Sequence, residues 1–273
     1  MNYGAILKWY QLADINQVIG ETPVDRFLAF QKTQVQAPQK EEIPALNFAK
    51  KNEGITPKKD ENLSFIAQAQ TLSKEANSLS SLKDKVSSFD RCSLKKTAVN
   101  TFIGIGKEKK PTVFCIFDAP KAPAERTGNL FEGPQGLLLQ KMLSAIKLSP
   151  DNSYIAPLIP WRLPGDRKPS LTEEKICTPF IKRALELTDP DFILLFGSIP
   201  TRALLGIESI SKARQQIQYI TVLEKEIPVI STFGPDMVSA SQTSRKNAWD
   251  DLKKLAQLIQ KKAANNEEDK ENA

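Results

Sequence analysis

Short apolar runs that alternate with amphipathic helical stretches set the strongest limit on what this chain can fold into. Val113, Phe114, Cys115 and Ile116 sit together within residues 112–117, and Phe192–Phe196 is apolar throughout. Runs of this length, bounded by turn residues, read as strands buried on both faces. Residues 153–159 give another strand, and two more are expected near 217–222 and 228–231. Between them lie helical patterns. Pro134 opens one in which Leu137, Leu138, Met142, Leu143 and Ile146 share a face. Ser170 and Glu173 form a capping box at the start of another, with Ile176, Phe180, Ile181 and Leu185 inward and Asp189-Pro190 as its stop. A short helix over 200–205 and a last one through Trp249, Leu252, Leu255 and Ile259 complete the set. The alternation predicts an α/β fold with three layers, helices on both sides of a mainly parallel sheet. In such sheets the site lies beyond the carboxyl ends of the strands.

The ends of the chain read differently. Residues 1–30 carry a short helical pattern, and residues 31–62 are polar and proline-bearing, too poor in apolar surface to offset their ordering entropy, so a disordered linker is expected. Phe65, Ile66, Ala69, Leu72, Ala76 and Leu79 predict one amphipathic helix over 63–82 that leads into a domain over 63–262, and residues 263–273 read as a frayed tail. The net charge of +6 permits binding to a polyanion. Three scattered cysteines exclude a disulfide scaffold, and no apolar run approaches the roughly 20 residues that span a bilayer. With no signal-peptide pattern at the N-terminus, a soluble, cytoplasmic monomer without a membrane partner is expected.

Four spaced motifs carry a resemblance. Phe117-Asp118-Ala119-Pro120, Gly128-Asn129-Leu130-Phe131, Trp161-Arg162-Leu163-Pro164-Gly165-Asp166-Arg167 and Thr232-Phe233-Gly234-Pro235 follow one another in the order and spacing of the iron–sulfur (family 4) uracil-DNA glycosylases. The chain resembles that family from about Phe89 to Leu258. The resemblance implies the glycosylase fold, DNA as partner, and hydrolysis of the N-glycosidic bond of uracil in DNA. The family's four cluster cysteines fall on Phe89, Cys92, Trp161 and Cys177. Two thiolates cannot hold a four-iron cube that takes four, so neither a metal nor another cofactor is expected. A branch of the family is similar in carrying Phe and Trp at these two positions.

The resemblance also implies a pocket. Phe131 takes the place of the base-stacking aromatic, and packing in the core is the alternative for it. Asp118 takes the place of the family's glutamate and would activate water; an ordinary Asp-before-Pro turn is its alternative. Phe117 replaces a glycine and would fill space the base needs. Pro157 replaces the base-reading asparagine and has neither a side-chain amide nor a backbone N–H. Gly234 replaces the histidine that supports the base anion, and the chain has no histidine at all. Loss of one such preorganised donor costs on the order of a hundredfold in rate. Arg162, Arg167, Lys168 and Arg245 are expected either to meet DNA phosphates or to be solvated surface charge. Beside an altered glycosylase stand a catalytically inactive DNA-binding or scaffold descendant of the fold and a rebuilt pocket for a different base.

Overall fold

The computed structural model describes residues 59–271, with side chains from 61 to 265. The expected N-terminal helix and the expected linker up to residue 58 lie outside the described residues. Helix α1 (Lys59–Glu75) starts within the last residues assigned to that linker, and α2 (Leu79–Ser88) follows at once. The single helix expected over 63–82 is therefore two. Ser78 breaks it: its backbone is extended and its side chain accepts a hydrogen bond from the Ser81 N–H at 3.1 Å, which satisfies a donor that a helix start leaves open.

Six strands form one sheet, β1 (Ile105–Gly106), β2 (Val113–Phe117), β3 (Ser153–Pro157), β4 (Phe192–Phe196), β5 (Gln218–Val222) and β6 (Lys225–Thr232), in the order β1-β3-β2-β4-β6-β5. The inner neighbours β3, β2, β4 and β6 run parallel, and the two edge strands are antiparallel. Every residue of β2, β3 and β4 is buried, as their unbroken apolar runs require. Phe114 and Ile116 pack into one core with α1, α2 and α6 (Leu171–Thr188), while Val113, Cys115 and Phe117 pack into a second with α5 (Gly133–Ser144) and α10 (Gln242–Glu271). The expected three layers follow from these two cores. Shorter α-helices lie among the described residues: α3 (Ser93–Thr97), α4 (Ala122–Thr127), α7 (Ser198–Leu205), α8 (Ile210–Ala213) and α9 (Pro235–Ala240). No helix among the described residues is long and apolar enough to cross a membrane.

Helix α6 starts on the capping box read from the sequence: the Ser170 side chain accepts from the Glu173 N–H, and Glu173 accepts from the Ser170 N–H at 2.7 Å. Its stop is Asp189, which takes a left-handed backbone with φ 47°. Two helices each turn one expected residue outward. In α5 Leu139 is buried and Leu137 is 50% exposed, because a Cβ on Gly136 would lie 2.5 Å from the Phe131 carbonyl carbon. That close approach fixes which face of α5 turns inward. In α10, Ala248, Leu252 and Leu255 are buried and Trp249 is 45% exposed. The backbone of α10 also runs on to Glu271 through the expected tail, where no Pro or Gly stops it.

Asp251 ties α10 to the end of β6. Its carboxylate, 1% exposed, accepts from Arg214 Nε at 2.8 Å, Arg214 Nη2 at 3.0 Å and Thr232 Oγ1 at 3.1 Å. Breaking one side of such a buried pair strands the other charge. Asp251→Ala is expected to destabilise the fold by about 3 kcal/mol in urea unfolding, while Asp250→Ala on the solvent side keeps the midpoint of the parent.

Candidate active site

Strand β2 has β3 on one side and β4 on the other, so the loops leaving these strands part above its carboxyl end. Ligands bind α/β sheets at such a fork. A hollow of about 130 Å³ lies there, and its walls include Phe117, Asp118, Lys121, Gln135, Gly197 and Gly234. A cavity of about 150 Å³ accepts a single six-membered ring. A recess of about 140 Å³ shares Asp118 as a wall and runs under the 161–167 loop toward Arg167 and Lys168. The larger groove, about 690 Å³, lies away from the strand ends among α1, α6 and α7. Among its charged walls, Arg202 pairs with Glu174 and Glu208, and Arg183 pairs with Glu186.

Asp118 is the first residue past β2. Its Oδ1 is fully enclosed and has no hydrogen-bond partner among the described residues. Burial pushes the carboxyl up to about 7; Lys121 and Lys168 pull it down, and Asp236 and Glu174 add to the rise. The carboxyl therefore titrates near neutrality, where a group can both take and return a proton. Space beside it is kept by Gly197, whose φ is +92° and whose Cβ would stand 3.3 Å from Asp118 Oδ1. Gly234 closes the same side: its ordinary φ of −71° and a nearest Cβ neighbour at 3.8 Å leave room for a side chain that is not there. Lys121 and Asp236 pair at 3.2 Å, and both line the hollow and the recess.

The structure divides the other sequence-derived candidates. Phe117 lines the hollow from the second core. Phe131 is buried in that core and is not among the hollow's walls, where its neighbours Leu130 and Glu132 stand. Pro157, opposite Phe117 in the β2–β3 register, is buried at the end of β3 and is also outside the walls. Arg167 makes two bonds to Glu173, at 2.9 and 2.6 Å, so it serves the α6 cap. Arg162 pairs with Asp166 at 3.0 Å. Lys168 is exposed, lines both spaces and has no ion pair among the described residues, which leaves its charge available to a phosphate. Arg245 opens α10 beside Trp249 and Lys141 on a separate surface groove. Lys121 and Asp236 were not singled out for a role by sequence, nor was Gln135. The inward face of α5, set by Leu139 one turn later, is the signal that marks Gln135.

The four positions expected to match the family's cluster cysteines lie in the core. Phe89, Cys92, Trp161 and Cys177 are all buried in the first core. The Phe89 ring meets Phe180 edge-on with centroids 5.4 Å apart, and Trp161 Nε1 donates to Thr101 Oγ1 at 3.1 Å. The Cys92 thiol is in hydrogen-bond contact with Cys177, whose own thiol burial pushes well above its ordinary value. Two aromatic rings and two thiols, one of them held neutral, do not fit a four-iron cluster.

The Uracil DNA glycosylase superfamily profile matches residues 103–253, more than half of the chain. The chain belongs to the uracil-DNA glycosylase superfamily. The type-4 uracil-DNA glycosylase of Archaeoglobus fulgidus is 28% identical over 190 residues, 68% of this chain and 95% of that protein. The corresponding protein of Sulfurisphaera tokodaii is 29% identical over 188 residues, covering 67% and 85%. That of Thermotoga maritima is 24% identical over 182 residues, covering 66% and 94%. The match to the superfamily holds the hollow's walls from Phe117 to Met237 within its span.

Asp118 has a consequence for stability. Its folded value lies above the ordinary 3.8, so the folded protein keeps the proton longer than the unfolded chain does. Stability is then lost as pH rises from about 4 to about 7. Asp118→Asn removes this cost. The variant is expected to be more stable than the parent at pH 8 by roughly 2–4 kcal/mol and to match it near pH 3.5, as followed by thermal unfolding across pH.

Proposed function

We propose that this protein is a DNA glycosylase that hydrolyses the N-glycosidic bond of deoxyuridine in DNA, with Asp118 as its general base. The observation that carries this is the enclosed, unpartnered Asp118 oxygen at the floor of a ring-sized hollow at the sheet's fork. The name shared by the relatives, type-4 uracil-DNA glycosylase, supports the choice of uracil. Reaching the glycosidic bond requires the nucleotide to leave the stack. The pyrimidine occupies the hollow and the water occupies the recess on the other side of Asp118. Asp118 takes a proton from the water as its oxygen bonds to C1′ of the sugar. The C1′–N1 bond breaks, and the base leaves with the bonding electrons and is then protonated. A carboxylate beside C1′ also offsets the positive charge that develops on the sugar. Lys168 at the rim meets a backbone phosphate.

Two donors of the family are missing, at Pro157 and Gly234, so turnover is expected to be slow. The Lys121–Asp236 pair, which lines the hollow, supports a second reading, a non-catalytic descendant that binds DNA without regard to uracil. Single-turnover assays on uracil-containing single- and double-stranded oligonucleotides separate the two. Cleavage that rises with pH through an apparent value near 7 and vanishes in Asp118→Ala is expected. Equal affinity for uracil and matched normal DNA, with no excision, would favour the second reading.

The open space at Gly234 gives a further check. Its nearest Cβ neighbour lies at an ordinary 3.8 Å, so Gly234→His is expected to fold. Restoring a donor to the base anion is expected to raise the excision rate on the order of a hundredfold. No gain in a folded Gly234→His variant would count against base-anion support as the missing step.

A further inference from the structure

The hollow keeps one side chain suited to reading a flat polar edge. Of its hydrogen-bonding walls besides Asp118, to which the proton transfer is assigned, Lys121 and Asp236 are paired to each other, and Glu132 and Lys168 are exposed at the rim. Ser198 offers a single hydroxyl. Gln135 differs from all of these. It is half-buried, it lines the hollow, and its carboxamide has no hydrogen-bond partner among the described residues. It also sits on a rigid element. The contact of Gly136 with the Phe131 backbone sets the rotation of α5, and Leu139, one turn beyond Gln135, lines the hollow and is buried from the same face.

Building on the hydrolytic role proposed above, we infer that Gln135 reads the edge of the bound base, the task for which Pro157 has no donor. A carboxamide presents one donor and one acceptor side by side. That pair matches O4 and N3–H of uracil, and with the amide turned over it matches the N4 amine and N3 of cytosine. Nothing else in the hollow holds the amide in one sense. The ligand class is therefore a single-ring base with an adjacent donor and acceptor: the volume of about 130 Å³ selects ring number, and Gln135 supplies the edge.

The full chain is titrated with free uracil and free cytosine by calorimetry, beside Gln135→Leu, Gln135→Glu and, as a control on the exposed side of the same helix, Gln140→Ala. Thermal unfolding is recorded for each. Gln135→Leu is expected to weaken uracil about tenfold or more with an unchanged melting temperature. Gln135→Glu, an acceptor only at pH 8, keeps the shape of the side chain but sets a carboxylate oxygen against the acceptor of either base, and is expected to weaken both. Gln140→Ala leaves both affinities as in the parent. Unchanged affinities in both Gln135 variants overturn the assignment, as does a parent that binds neither base. Excision measured in parallel separates this from the hydrolytic role. Turnover with unchanged affinities removes Gln135 alone, and altered affinities without turnover keep Gln135 as a binding residue while hydrolysis fails.

Discussion

Burying parallel strands on both faces is the constraint on which the rest of this molecule depends. Once β2, β3 and β4 are enclosed along their whole length, their backbone polar groups are spent on the ladder and their side chains on the two cores. Polar chemistry is left with the strand ends. Because β3 and β4 flank β2, its end is the place where loops diverge, and Asp118 stands in that opening as the next residue of the chain. Enclosure makes the carboxylate costly, and the same cost makes it a better base at neutral pH.

The glycines of the site act in two different ways. Gly136 lets two segments touch, since any side chain there would run into the Phe131 backbone. Gly197 and Gly234 instead keep atoms away, one beside the Asp118 carboxylate and one at the end of β6. The first fixes where α5 points; the other two fix how much room is left. Lys121 and Asp236 then join the loop after β2 to the start of α9, so that the walls of the hollow are held from both sides.

What the sequence discloses here is what is local. The β4 run, the Ser170–Glu173 box and the Asp189 stop each depend on neighbouring residues, and the structure has them where periodicity and capping chemistry put them. Asp118, Phe117 and Gly234 were named from the resemblance, and each lies at or just past the end of a strand and lines the hollow. The rest depends on contacts between distant segments. Leu137 and Leu139 are equally apolar, and only the approach of Gly136 to Phe131 decides which one turns inward. The stop at Ser78 competes with a helical pattern that continues through Leu79 and wins by its cap. Phe131 fits either a stacking wall or a core, and the hollow's walls pass beside it. Arg167 looks like a phosphate ligand until Glu173 is seen to occupy both of its terminal nitrogens.

The packing around Phe89, Cys92, Trp161 and Cys177 bears on what the first core tolerates. The rings of Phe89 and Trp161 close the interior with carbon and one indole hydrogen bond. Where rings close an interior, tolerance follows ring volume: a smaller side chain at either position would open a void among close-packed neighbours.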